Sequence, residues 1–292
     1  MISGFINLYK PSGISSNKAL GIVKAVLRNY GIEEKIGHFG TLDPLASGVL
    51  PLALGRATRL FDYSLDKIKE YHATFIFGAI SDSLDLGTEV KYDSAVNVNI
   101  NDVKASIKDN IGEINQVPPM YSAKSVAGVR AYKIARMGGE IELKPKKIII
   151  YDIVDVKEEG RNTFSMKIVC GGGTYVRAIG RDIAKSLGTT AVMSNLIRTK
   201  SGKFDIENAI TLEFIKSQNF DIKDIILPCD LVLNDFERIV ISEKQKKKIL
   251  NGVKISVEEA NYVNCTVYDM SENLLGIGEI ENGEMRLKTW LI

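Results

Sequence analysis

KIGHFGTLDPLASGVLPLALGRATR, residues 35–59, sets one carboxylate, Asp43, among Gly, Thr, Pro, Leu and Ser and closes on a basic end carrying Arg56 and Arg59. Glycines flank the acid on both sides, so the segment reads as a loop shaped to present it, followed by the apolar run 49–54. On residue chemistry alone two readings of Asp43 stand level. It is either a turn carboxylate that takes backbone N–H groups before Pro44, or a nucleophile or acid–base group held beside a polar substrate.

Around this loop, strands and helices mix without a regular strand–helix period. Residues 5–9 alternate as a short strand and stop at the turn Lys10-Pro11-Ser12-Gly13. Ser15 or Ser16 caps a helix carrying Leu20, Val23 and Leu27 on one side, and Gly31 ends it. Residues 71–77 alternate as a strand, and 81–88, SDSLDLGT, read as exposed loop. A short helix is expected over 102–111, and the paired prolines of 116–125 exclude a central strand there. Two strands follow over 146–167 around the polar turn 158–162, with Phe164, Met166, Ile168 and Cys170 on one face. Gly171-Gly172-Gly173 breaks the second strand, and Thr174 is expected to cap a helix over 175–187 with Val176, Ile179, Ile183 and Leu187 inward. Arg177 and Arg181, four apart, share another face. The pattern is α+β with substantial antiparallel sheet, not a parallel doubly wound fold.

The character changes near Leu231. A small helix over 242–250, with Ser242 and Gln245 as a capping box and Gly252 as a stop, precedes strand-like runs at 262–268 and 284–291. The chain therefore divides into 1–231 and a small C-terminal domain, 232–292. The run EKQKKK on that helix is a solvated face first and a phosphate contact second.

Composition narrows the function classes. At 292 residues, 45% hydrophobic and 25% charged, the chain has ordinary globular composition. It has no run of about 18 apolar residues and no basic leader, so neither a membrane span nor a secretory signal is expected. Three scattered cysteines, Cys170, Cys229 and Cys265, fit a reducing cytoplasm and form no CxxC pair. With only His38 and His72 and no cysteine cluster, zinc chemistry has little support. Asp82 and Asp85 read as an exposed acidic turn ahead of a Mg²⁺ site. The triple glycine lacks the Lys-Ser/Thr ending of a P-loop. A formal charge of +2 neither demands nor excludes RNA. Tyr71, Tyr175 and Leu196 read first as packing residues, and His38 as a loop cap or a base or phosphate contact.

Taken together, the blocks resemble the bacterial tRNA pseudouridine synthase B family. They are GHFGTLDPLASGVLPLALGRATR, NLYKPSGISS at 7–16, KEYHA at 69–73, PPMYSAKSVA at 118–127, GTYVRAIGR at 173–181 and MSNLIRTKSG at 193–202. They come in family order and cover most of the first 200 residues. The resemblance implies isomerisation of uridine 55 in the tRNA T arm to pseudouridine, without a cofactor or a metal, by a cytoplasmic enzyme with no obligate protein partner. It implies the pseudouridine-synthase fold, an extended, mainly antiparallel sheet with an RNA-binding insertion and a small C-terminal RNA-binding domain.

By the same likeness, Asp43 is the essential aspartate and Tyr71 packs on the target base and is implicated in removing its C5 proton. Arg177 pairs with Asp43, Leu196 lines the uracil pocket, and His38 enters the RNA and holds the base out of its stack. Lys10 begins the basic–proline turn, and Tyr175 is placed with the substrate contacts. A carboxylate can attack ribose C1′ or base C6, or stabilise a ribose-derived intermediate, and the residues alone are compatible with all three. Two rivals remain at this stage: a non-catalytic RNA-binding or RNA-folding protein, and a glycoside-cleaving hydrolase that uses Asp43.

Overall fold

A computed structural model describes residues 2–64, 68–122, 125–126, 129–130, 134, 143–258 and 260–292. Ala123, Lys124 and Ala127 of the PPMYSAKSVA block lie outside them. The body is built on one sheet whose strand order is Ile210–Thr211, Gly4–Lys10, Ser47–Leu54, Ala191–Ser201, Lys69–Phe77, Thr163–Cys170, Lys146–Gly160 and Gly112–Gln116. Ile36–His38 pairs beside Ser47–Leu54, and Phe204–Asp205 beside Ala191–Ser201. The pairings are antiparallel except at Gly4–Lys10 with Ile210–Thr211 and at Ala191–Ser201 with Ser47–Leu54. The sheet is thus extended and mainly antiparallel, as the pattern predicts. Gln116 closes an edge strand, which leaves Val117-Pro118-Pro119 off the ladder where proline costs no sheet hydrogen bond.

The strand Ser47–Leu54 is buried along its whole length because the sheet is covered on both faces. Leu50, Leu52 and Leu54 enter a core with the helices Ser16–Asn29 and Val176–Ser186. Val49 and Ala53 point the other way, into a second core with Phe5, Phe39, Phe204, Val232, Ile277 and Leu291. Burial on both faces explains why the sequence there is a continuous apolar run instead of an alternating one. Phe164, Met166, Ile168 and Cys170 fall on one buried face, as their spacing predicts.

Several boundaries differ for local reasons. The first helix begins at Ser16 with Ser15 as N-cap, and the chain leaves it through Gly31 at φ +71°, Ile32 N–H returning to Leu27 O. The helix expected over 102–111 starts at Ile100, because Asn99 supplies the cap, and its α-helical part ends at Ile107. Thr174 does not cap the next helix. Its hydroxyl donates to Gly171 O across the glycine turn, and Tyr175 holds the N-cap position without a side-chain bond. The 81–88 loop is not an exposed turn: Ser81, Ser83 and Asp85 are buried, while Asp82 is exposed. Met193 N–H bonds to Leu84 O and docks the loop on the central sheet.

Residues 237–290 form a separate five-stranded sheet in the order Glu237–Ile241, Tyr262–Asp269, Leu274–Glu281, Glu284–Trp290, Ile255–Ser256. The runs 237–241 and 274–281 were not read as strands from the sequence. The helix Glu243–Leu250 carries the expected capping box between Ser242 and Gln245. In the EKQKKK run Lys246 bonds to the buried Asp269, while Lys244, Lys247 and Lys248 are exposed. Among the described residues no helix is long and apolar enough to cross a membrane.

Candidate active site

Two devices hold the Asp43 loop. From one side the N-terminal turn staples it. Ser16 Oγ donates to Leu42 O and accepts from Leu42 N–H, Gly13 N–H donates to Pro44 O, and Ser12 Oγ donates to Leu45 O. Lys10, fully buried, donates its Nζ to Pro11 O and Ile14 O at 2.8 Å and to Pro44 O at 3.3 Å. From the other side Arg198 Nη2 and Nη1 donate to Gly40 O and Thr41 O, and its Nε donates to Val49 O at 2.7 Å. These contacts pair the loop's carbonyls and fix its backbone. They also explain the glycine at 48: φ is +105°, and a Cβ there would stand 2.2 Å from Arg198 O.

So presented, Asp43 Oδ2 meets Arg177 Nε at 2.9 Å. Arg177 comes from the first turn of the helix Val176–Ser186 and is buried, with Nη1 donating to Ser83 O at 2.7 Å and Nη2 to Tyr121 O at 3.0 Å. Asp85 Oδ2 lies 3.6 Å from the same Nη1. Ser83 Oγ and Gly87 N–H donate to Asp85 Oδ1 and fix that carboxylate. One guanidinium therefore faces two carboxylates. Asp85 is the nearest buried partner that the exposed-turn reading of 81–88 missed.

Burial pushes the Asp43 carboxyl up from its ordinary value, Arg177 and Lys10 pull it back, and the Asp85 charge adds to the rise, leaving it raised. Its side chain keeps 36% of its exposure, and Oδ1 has no hydrogen-bond partner among the described residues. One oxygen is tethered and the other is available at a cavity.

That cavity, ≈ 530 Å³, is lined by Thr41, Leu42, Asp43, Tyr71, Tyr175, Val176, Arg177, Leu196 and Arg198, with Lys69, Lys146 and Lys203 also on its wall. Its size is that of a small-ligand site. Asp43, Tyr71, Arg177, Leu196 and Tyr175 are thus brought together from four separate segments. Tyr71 and Leu196 come from paired strands, where Leu196 sits opposite Ala73 and Tyr71 opposite Arg198. Burial pushes the Tyr71 phenol up, and the Arg198 charge opposes that. Tyr175 is locked at the wall by Gln116, whose amide bonds both its N–H and its carbonyl.

His38 and Lys10 do not line the cavity. His38 ends the strand Ile36–His38, and its Nδ1 is buried without a partner among the described residues. Burial, then the Arg198 charge, lower its pKa. Lys10 lies behind the loop, and burial lowers its pKa to about 8. Arg198 escaped the sequence reading although it stands in the MSNLIRTKSG block. An arginine two residues beyond an apolar position on a strand carries no local sign that it will be buried.

The model for the TruB family pseudouridylate synthase N-terminal domain matches residues 28–176, and that for the tRNA pseudouridylate synthase B C-terminal domain matches 177–234. The chain belongs to the TruB family of pseudouridine synthases. It is 41% identical over 255 residues to tRNA pseudouridine synthase B of Clostridium tetani, covering 87% of this chain and 86% of the relative. With the same enzyme of Clostridium novyi it shares 39% over 297 residues, covering 100% of both. Its fold is similar to a solved H/ACA RNP bound to a substrate RNA containing 2′-deoxyuridine, with TM-score 0.72 and 23% identity over 99% of this chain and 85% of that one. The 176/177 boundary between the two matches falls at the start of the Arg177 helix, inside the continuous body.

Proposed function

We infer that this chain converts uridine 55 in the T arm of tRNA to pseudouridine, by cleaving N1–C1′, turning the base and joining C5 to C1′. The single observation that carries the assignment of residues is the Asp43–Arg177 pair at the wall of a cavity that Tyr71 and Leu196 also line. An ionised Asp43 with Oδ2 held by Arg177 leaves Oδ1 to act at the sugar or the base, whether at C1′, at C6, or in support of a ribose-derived intermediate. Tyr71 packs on the uracil and takes part in loss of the C5 proton, and Leu196 supplies an apolar wall. Tyr175 joins that wall across from them.

The target must leave its stack to reach this depth, at a cost of a few kcal/mol. We assign His38, on the strand leading into the loop, to the space the base vacates, and Lys10 to holding the loop that carries Asp43. The wall lysines favour the RNA backbone, so affinity for the T arm falls as salt rises. The reaction transfers no electrons and no external group, so no cofactor is invoked, and we place it in the cytoplasm with tRNA. Residues 1–231 carry the chemistry, and 232–292 add RNA contacts.

Site-resolved pseudouridine mapping on an unmodified T-arm RNA tests this assignment. Wild type converts uridine 55, Asp43→Asn converts none while still binding the RNA, and a uridine-to-cytidine change at the target abolishes product. Normal conversion by Asp43→Asn would overturn the assignment. Release of free uracil would instead favour a glycoside-cleaving hydrolase, since isomerisation leaves RNA length and mass unchanged.

A further inference from the structure

Among the described residues Arg198 is the largest fully buried side chain, at 1% exposure, and it donates to the backbone carbonyls of Val49, Gly40 and Thr41. A buried cation without a carboxylate partner costs several kcal/mol unless it is well hydrogen-bonded. Holding the loop would need only donors, which a neutral amide also provides. The positive charge calls for a second explanation.

Two placements supply one. Arg198 stands directly opposite Tyr71 across the antiparallel pair of central strands, and both side chains line the cavity. The loop carbonyls that Arg198 holds belong to residues 40 and 41, three and two positions before Asp43. One guanidinium thus touches the segment that presents the carboxylate and stands next to the phenol. Burial leaves the Tyr71 phenol raised, and the Arg198 charge acts against that, in the sense that favours the phenolate.

We propose that Arg198 is a positioning residue that stabilises negative charge on the Tyr71 oxygen while C5 loses its proton. Once C5 is joined to C1′, the Tyr71 phenol gives its proton to water and the phenolate, paired with Arg198, takes the C5 proton. The C5–H electron pair restores the C5–C6 double bond as the C6–N1 π pair moves onto N1, and N1 takes a proton from water, so no proton is gained or lost overall. The proposal rests on the role given to Tyr71 under Proposed function.

The experiment separates charge from shape. Arg198→citrulline keeps the side chain's length, its Nε–H and one terminal NH2, replaces the other with a carbonyl oxygen and removes the charge, whereas Arg198→Lys keeps the charge and loses the fork. Single-turnover conversion is followed on T-arm RNA carrying protium or deuterium at C5 of the target, with melting temperature and RNA affinity measured alongside. We expect Arg198→citrulline to fold and bind RNA with a lowered melting temperature, to turn over roughly ten- to a hundredfold more slowly, and to show a larger C5 isotope effect. Arg198→Lys should turn over faster than the citrulline variant even though it loses the bidentate hold on the loop.

A citrulline variant with wild-type rate, or a slowed one whose isotope effect is unchanged, overturns the proposal. If it does not fold, Arg198→Lys decides. An isotope effect in Arg198→Lys like that of wild type, beside a larger one in Arg198→Gln, supports the proposal, and equal isotope effects in the two variants overturn it. Tyr71→Phe serves as control. Normal turnover there would overturn the role of Tyr71 and the proposal with it, whereas a loss in Tyr71→Phe beside a normal citrulline variant would overturn the proposal alone.

Discussion

Arg177 is the residue on which most of the site's electrostatics converge. It holds Asp43, faces Asp85 and donates to two loop carbonyls from a position with almost no solvent. Its removal strands a buried Asp85 and leaves two carbonyls unpaired. We expect Arg177→Met to lose pseudouridine formation and to destabilise the fold by about 3 kcal/mol, as for other broken buried pairs. Chemical denaturation and single-turnover assays measure the two losses separately. Asp43 sets the acid limb. Because its carboxyl is raised above the ordinary range, protonation overtakes it at a higher pH than for a free aspartate. Activity should therefore fall on acidification at a pH above 3.8, the ordinary aspartate value. A single-turnover pH profile whose acid limb sits at or below that value would contradict the burial of Asp43.

Lys10 runs the opposite way. Its folded pKa of about 8 lies below the ordinary 10.5, so between those values the unfolded chain binds more protons and stability rises with pH. Denaturant unfolding at pH 7 and pH 10 should show that gain in wild type, and Lys10→Met should remove this part of it. The carbonyls of Pro11 and Ile14, which it leaves without that donor, cost stability at both pH values.

At the scale of elements, the helix Val176–Ser186 lies close on the sheet, and Gly180 is the reason it can. A Cβ at 180 would stand 2.2 Å from the Phe75 ring, which is fully buried and cannot yield. Gly180→Ala should therefore push the helix off the strand Lys69–Phe77, at about 1–3 kcal/mol, the usual range for overpacking. Arg177 lies one turn before Gly180, so turnover should fall further than the fraction of folded protein. A folded-fraction-corrected rate equal to wild type would show that the helix does not set the Arg177 geometry. Elements of this kind were readable where a local signal exists. The Ser242–Gln245 capping box and the alternating face 164–170 are examples. The strands 237–241 and 274–281 were not readable, because glycines and charges interrupt their alternation, and pairing within the C-terminal sheet supplies what local pattern lacks.

For the whole molecule, the C-terminal sheet shares a core with the body. Ile277 and Leu291 pack with Phe5, Phe39 and Phe204, Arg59 donates to Trp290 O, and the Tyr63 and Thr289 hydroxyls bond at 2.9 Å. Deleting 235–292 should weaken T-arm binding more than it slows chemistry once RNA is bound. It should also lower the melting temperature of the body, because part of the body's second core becomes exposed. Intact turnover in the bound state with unchanged affinity would count against the division of labour. An unchanged melting temperature would count against the shared core.

Asp43, Tyr71, Arg177 and Leu196 were legible as members of family blocks, and the mainly antiparallel sheet was legible in the mixed order of strands and turns. Both are local properties: residue type, spacing and turn chemistry act within a few positions along the chain. That Asp85 is buried against Arg177, that Arg198 holds the Asp43 loop from the cavity side, and that Lys10 and His38 stand off the cavity were decided only by the tertiary structure. Each depends on strands far apart in sequence becoming neighbours, and burial of a charge follows from what packs over it, which no short stretch of sequence encodes.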